Sequence, residues 1–394
     1  MAEAIDLGEF GDGFRTDPHP VYARLRERGP VHRVRLPVPD QHHETWLVVG
    51  YEEARAALAD PRLSKDATKI GMLFLDEELI GKYLLGTDPP RHTRLRALVS
   101  RAFTMRRVEE LRPRIEEITR ELLDAMLPHG RADLVESFAY PLPITVICEL
   151  LGVPEMDRAA FRAMSSEAVA PTGADSEHDA FVRLAAYLTE LIEDKRCAGP
   201  GDDLLSDLIR TTAEDGDRLS AGELRGMAFV LLVAGHETTV NLISSGVLSL
   251  LRHPTQLAVL RADLSLVDRA VEETLRHEGP VENATFRFAA EPLEIGGTKI
   301  DRGDAVMIGL TAADRDTLRY PDPDRFDLGR DTRGHLAFGH GVHYCLGAPL
   351  ARLEARTAIR ALLERAPGLA LDGPPGEWLP GMLMRGVRSL PVRW

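Results

Sequence analysis

The stretch GMAFVLLVAGHETTVNLISSGVLSLLRH, residues 226–253, reads as one long helix that is apolar almost all round. A helix without a polar face has to be covered on every side, so the rest of the chain must wrap around it. Its longest unbroken apolar run, MAFVLLVA at 227–234, is far short of the roughly 20 residues that span a bilayer. The covering material is therefore expected to be protein. In mid-helix the run gives way to Ala234, Gly235, His236, Glu237, Thr238 and Thr239. A buried helical glycine costs about 1 kcal/mol, and an acid with two threonines costs more unless partnered. Thr238 can reach back to the carbonyl of Ala234, loosening the helical ladder and admitting water. A small-residue notch beside an acid–hydroxyl pair suits a bound diatomic ligand and a proton path to it. The alternative is a kink with an exposed polar face, which the apolar sequence on both sides disfavours.

Periodicity sets the long helix at 220–251 and dominates elsewhere too, with candidates at 18–28, 51–59, 90–101, 106–128, 141–151, 155–168, 178–196, 202–213, 254–262, 265–277 and 348–366. Strand-like pieces are few. VHRVRL (31–36) and TWLVVG (45–50) make one hairpin. LEIGGTKI (293–300) followed by AVMIGL (305–310) makes another, with turns at Gly296-Gly297 and Asp301–Asp304. The expected class is mainly α with a small β portion. Length alone suggests two or three domains, yet no repeat and no Gly/Ser linker divides the chain. Segments 62–87 and 169–178 are the expected lids, plain surface loop being the alternative.

A formal net charge of −14 argues against nucleic acid or an anionic membrane as the main partner. The acidic start, MAEAIDLGEF, has neither a basic nor an apolar leader region, so no signal peptide is expected. Cys148, Cys197 and Cys345 are odd in number and far apart, which excludes a disulfide framework or a CxxC zinc pattern. A cytoplasmic, reducing environment is the expectation.

Cys345 lies in FGHGVHYCLG (338–347), just before the helix APLARLEARTAIRALLERA, with Pro349 near the first helical position. Glycine turns and the helix N-terminus offer backbone N–H groups and a positive dipole end, which favour a thiolate over a thiol. An unpaired thiolate serves as nucleophile, zinc ligand or axial haem ligand, and the segment alone leaves all three open.

Three further segments bear on the choice. In VEETLRHEGPV (271–281), Glu273 and Arg276 are three apart on one helical face. Such a pair means little until PDPDRF (321–326) adds Arg325 shortly before the cysteine segment. In DPPRHTRLRALVSRAFT (88–104), His92 and Arg96 share a face that could hold a carboxylate, a solvated basic face being the alternative. Arg287 and His343 are further candidate donors to buried carboxylates.

Together these segments resemble, in order and spacing, the signature regions of bacterial cytochromes P450, the haem-thiolate monooxygenases. FGHGVHYCLG is similar to that family's haem-binding FxxGx(H/R)xCxG pattern, AGHETT to its AGx(D/E)T(T/S) helix pattern, and HTRLR to its HxxxR. Glu273, Arg276 and Arg325 match its Glu-Arg-Arg triad of structural residues. The likeness runs from about residue 5 to Trp394. It implies one triangular P450 domain over 1–394, with haem b between the long central helix and the helix after the cysteine. It also implies that Cys345 is the iron ligand, that His92, Arg96, Arg287 and His343 bind the haem propionates, and that Phe338 shields the sulfur. Ala234, Gly235 and Gly347 would line the cofactor, while Glu237 and Thr238 relay protons to bound dioxygen.

No flavin or nicotinamide motif is present, so electrons would come from NAD(P)H through a ferredoxin reductase and a ferredoxin. Arg101, Arg106, Arg107 and Arg352 could form a local basic docking face for an acidic partner, ordinary surface arginine being the alternative. DPPRHTRLR, LPITVICELLGVPEMDRAAF and LLVAGHETTVNLI look most like actinobacterial hydroxylases of macrolides and other polyketides. By that likeness Leu84, Leu85, Val230, Val233, Asn283, Ala284, Leu383 and Met384 line an apolar pocket for a bulky lipophile. Asp76, Glu77 and Glu78 could receive an amino-sugar cation, a solvated acidic cluster being the commoner explanation. A steroid, fatty acid or small aromatic substrate is the alternative, and a haem-binding sensor or a cysteine-nucleophile enzyme the remoter one. A monomer without nucleic-acid partner or membrane anchor is expected.

Overall fold

The central helix runs unbroken from Ala221 to Arg252, about 48 Å at the α-helical rise. The computed structural model describes residues 4–36, 44–66, 81–154, 164, 167, 174–199, 201–210, 218–379 and 382–394. All but Met164 and Glu167 of the expected helix at 155–168, residues 67–80 and 169–173 of the two expected lids, and with them Asp76, Glu77 and Glu78, lie outside the described residues. A capping box starts the central helix: Ser220 Oγ accepts from the Glu223 amide, and the Glu223 carboxylate accepts from the Ser220 amide. From Thr239 to Leu250 every residue is buried, as an all-round apolar helix requires. By length and composition this helix could cross a membrane, but most of it is enclosed by other helices.

In chain order the helices are α1 (Gly11–Thr16), α2 (His19–Arg28), α3 (Tyr51–Ala59), α4 (Arg91–Ala102), α5 (Met105–Glu110), α6 (Arg112–Met126) and α7 (Pro141–Leu151). They continue with α8 (Ala174–Ala198), α9 (Leu204–Arg210), the central α10, α11 (Pro254–Ala262), α12 (Val267–His277), α13 (Leu310–Ala313) and α14 (Ala348–Arg365). Helices α7, α8, α12 and α14 pack directly on α10. The single helix expected at 106–128 is instead two, parted at Leu111, because Pro113 at the start of α6 cannot donate into a preceding turn.

The strands are β1 (Ile5–Asp6), β2 (Val31–Arg35), β3 (Glu44–Val48), β4 (Leu63–Ser64), β5 (Arg131–Asp133), β6 (Arg287–Ala289), β7 (Leu293–Ile295), β8 (Thr298–Ile300), β9 (Ala305–Ile308), β10 (Ala370–Leu371) and β11 (Pro391–Arg393). The main sheet has the order β1-β2-β3-β9-β6-β4. Its β2–β3 hairpin, with Val31 opposite Val48, is the expected one. The β7–β8 hairpin also forms. The following strand does not extend it: β9 runs parallel to β3 and antiparallel to β6, crossing into the main sheet. This places Arg287, on β6, next to the strand that covers the second, sheet-side core around Val48, Val306 and Ile308.

Candidate active site

The site begins where the central helix loses its apolar cover. Ala234 is exposed although it sits mid-helix, and Val230, Val233, Glu237 and Thr238 are half-buried. Thr238 Oγ1 donates to the Ala234 carbonyl at 2.9 Å, the back-bond expected from the sequence, while the helix stays continuous. Gly235 belongs to a different contact. A Cβ there would lie 3.0 Å from Ile147 Cδ1 of α7, so its missing side chain admits the neighbouring helix rather than a ligand. His236, fully buried, is fixed by Nδ1 at 2.8 Å from the Leu232 carbonyl.

Cys345 is held by its loop. Its amide donates to the Phe338 carbonyl at 2.9 Å, closing the segment on itself. Gly341 turns there with φ of 76°, and a Cβ on it would press on Ala59 of α3, 3.0 Å from Cα. Arg96, on α4, donates to the Val342 and Tyr344 carbonyls at 3.0 and 2.8 Å, clamping both sides of His343. The Arg352 guanidinium lies 4.4 Å from the Phe338 ring centre and is paired with Glu272 at 2.6 Å. His335 meets the same carboxylate at 3.0 Å. Glu272 and His335 were not read from the sequence; the only trace was a second acid directly before Glu273.

The sulfur's environment reverses one expectation. Burial pushes the Cys345 thiol up, and the hydrogen bonds from the Gly347 and Ala348 amides and the nearby charges of Arg96 and Arg352 offset only part of this. The N–H groups are where the helix start predicts them. In the chain alone desolvation outweighs them, and a full thiolate needs a cation beside the sulfur. The residue nonetheless has open surface.

Beside the loop lies a basic cluster without its counterpart. The rings of His92 and His343 are 4.2 Å apart. Neither nitrogen of His92, nor Nδ1 of His343, nor Nε of Arg287 has a hydrogen-bond partner among the described residues, although all are buried. Burial first, then the charges of His92, Arg287 and Lys65, drives His343 down to about 3. Burial lowers Arg287 to about 10. Lys65, which sequence reading missed, is buried with Nζ donating to the Thr285 and Phe286 carbonyls at 2.9 and 3.2 Å. Burial and Arg287 hold its pKa well below the ordinary lysine range. The nearby acid, Asp88, is engaged by Ser64 and by the Lys65 amide. Unpartnered buried donors that destabilise one another's charge form a receptor for an anion.

The expected triad needs a correction. Glu273 and Arg276 form a fully buried bidentate pair at 2.8 Å for both contacts. The second arginine on Glu273 is Arg330, at 3.3 Å, together with the Asp327 amide at 2.9 Å. Arg325 instead extends outward, its side chain 65% exposed and 3.6 Å from Asp327. Only its carbonyl meets the cluster, 3.4 Å from Arg276. Its neighbour Phe326 is buried.

The expected pocket wall is only partly assembled. Leu85, Val230, Val233, Ala284 and Met384 keep partial exposure and Leu383 is 45% exposed. Leu84 is buried. Asn283 is also buried, its amide nitrogen donating to the Met382 carbonyl at 2.7 Å and so tying two wall segments together, while its Oδ1 has no hydrogen-bond partner among the described residues. Val281 and Met384 pair as an isolated bridge at the same seam. Of the expected docking arginines, Arg106 is paired with Glu110, Arg107 with Asp207 and Arg352 with Glu272.

A family model described as Cytochrome P450 matches residues 168–366. The chain is 59% identical to "Cytochrome P450 monooxygenase PikC" of Streptomyces venezuelae, over 99% of this chain and 94% of that protein. It is 48% identical to the 6-deoxyerythronolide B hydroxylase of Saccharopolyspora erythraea, over 97% of each. Among solved structures, the tirandamycin C-bound P450 monooxygenase TamI superposes with a TM-score of 0.89 at 46% identity, covering 99% of both chains.

Proposed function

The chain belongs to the cytochrome P450 family, and from that premise we propose that it hydroxylates or epoxidises a macrolide or related polyketide. Membership makes it a haem-containing monooxygenase that takes dioxygen, electrons from a redox partner and a lipophilic substrate. The substrate class rests on the likeness to proteins named for such substrates. When bound, haem supplies dioxygen binding and activation at its iron.

The residues fit that group, and the observation that carries the fit is the cluster of buried donors lacking an acceptor. His92, His343 and Arg287 would take the two propionates, with Lys65 adding positive field behind them. Arg96 contributes by clamping the loop carbonyls around His343. Cys345 Sγ would hold the iron, whose charge favours the thiolate that burial alone disfavours. The Gly347 and Ala348 amides then hold the sulfur's negative charge, and Phe338 with Arg352 covers the loop. On the other face, Thr238 Oγ1 and the Glu237 carboxyl hold and pass protons beside the exposed backbone at Ala234. Leu85, Val230, Val233, Ala284, Leu383 and Met384 would exclude water from an apolar substrate.

We take the electron donor to be a ferredoxin reduced by NAD(P)H, and the working form to be a single-domain cytoplasmic monomer. Two measurements test these readings. Reduced protein with carbon monoxide should give the red-shifted Soret band of a thiolate-ligated haem, and a histidine-type band would refute Cys345 as ligand. Macrolides should give the largest substrate-induced spin-state shift in a panel that includes steroids and fatty acids; a larger shift with another class would replace the substrate reading.

A further inference from the structure

Glu272 and Glu273 are neighbours on α12 with different duties. Glu273 serves the buried Arg276, whereas Glu272 takes the fork of Arg352 on α14. Nε of Arg352 lies 2.6 Å from Oε1 of that carboxylate and Nη2 lies 3.0 Å from Oε2. His335 Nε2 meets Oε2 from another side at 3.0 Å. The Ala337 amide donates to Nδ1 of the same imidazole at 3.3 Å, so Nδ1 offers a lone pair and Nε2 carries the proton given to Glu272. Burial alone would raise Glu272, but the bonds from His335 and Arg352 bring it down to about 2. It is therefore a carboxylate at neutral pH, gripped by two elements.

The guanidinium so fixed lies over the Phe338 ring, 4.4 Å from its centre, where the negative face of the ring attracts a cation. Its Nη1 is 3.5 Å from the Tyr344 hydroxyl. Both contacts frame Cys345: Tyr344 precedes it, and the Phe338 carbonyl accepts its amide proton. The charge of Arg352, like that of Arg96, reaches the sulfur and favours its negative form. The ion pair thus has a set polarity, with its positive end against the loop and its negative end on α12.

We propose that Arg352 and Glu272 tune the reduction potential at Cys345, the guanidinium favouring the reduced state and the carboxylate restraining that effect. The two are positioning residues that act through Phe338 and the loop. In the step they govern, one electron from the redox partner turns ferric haem to ferrous, and no bond forms or breaks. Added negative charge is stabilised by a nearby cation and opposed by a nearby anion. The inference rests on the reading of Cys345 as the haem ligand.

The test measures the potential of the holoenzyme and of Arg352→Met, Arg352→Lys and Glu272→Gln. Dithionite and small dye mediators supply the electrons, so no partner protein is present and a docking role for Arg352 moves nothing. Arg352→Met should disfavour the ferrous form about tenfold, a potential about 59 mV lower for one electron. Glu272→Gln, whose amide oxygen still accepts from the guanidinium, should shift the potential the opposite way. Arg352→Lys, which keeps the charge, should lie nearer the wild type than Arg352→Met. Shifts of one sign in Arg352→Met and Glu272→Gln overturn the inference, because loosened packing does not follow the sign of a charge. A potential that does not rise in Glu272→Gln overturns it even where the Arg352 variants fail to bind haem. A histidine-type carbon monoxide band in the wild type overturns the parent reading instead.

Discussion

A carboxylate with no water around it needs its lone pairs met by fixed donors, and Glu273 meets that need with Arg276, Arg330 and the Asp327 amide. Arg276 still neutralises Glu273 when Arg330 is removed, so Arg330→Ala should cost about 1.5–3 kcal/mol in urea unfolding, the worth of a lost hydrogen bond to a charged group. Arg325→Ala should stay within about 0.5 kcal/mol, since that side chain is mostly in solvent. The sequence reading took the one arginine of PDPDRF, whereas the arginine that reaches Glu273 lies just beyond that segment. Motif spacing carries no information on which of two nearby side chains turns inward. A second buried acid behaves differently. Burial raises Glu282 from 4.5 to about 7, against the opposing pull of Arg385 and the Tyr22 hydroxyl. The folded state thus keeps a proton that the unfolded chain releases, and Glu282 contributes less stability as pH rises from 4.5 to about 7. Glu282→Gln should flatten that part of the stability–pH curve, so its unfolding free energy relative to wild type rises across the window.

At the scale of elements, the central helix and the cysteine loop respond to different changes. Ser220→Ala removes half of the capping box and should cost about 1 kcal/mol. Glu223 is also held by Arg94 at 2.7 Å, which keeps the helix start attached to α4. Gly341→Ala should act on the loop instead. It forces a side chain into a left-handed turn and against Ala59, so the carbon monoxide spectrum should lose its thiolate band before global unfolding is affected. Long helices such as α7, α10 and α11 were legible to within a residue or so because many periodic positions vote together. The two-residue strands β1, β4 and β10 were not, because so short a segment shows no alternation. The fate of β9 was hidden for another reason. Its turn signals were real, but its partners on β3 and β6 are set by packing across the molecule.

Over the whole molecule, the cysteine loop, the histidine pair and β6 come from distant parts of the chain and meet around unanswered donors. The sequence showed each as a motif; it gave no sign of Lys65, whose role depends on burial alone. An anionic cofactor that neutralises the cluster binds only the folded chain, so haem removal should lower the midpoint of thermal unfolding by several degrees. An unchanged midpoint on reconstitution would separate the cluster from the cofactor. The Arg276 guanidinium has one further consequence. Beyond Glu273 it donates to the carbonyls of Asp314, Pro323 and Arg325, groups that every amino acid possesses. The path of the segment leading to Cys345 is therefore written in main-chain atoms, and its outward-facing letters can drift between lineages without disturbing the cysteine loop.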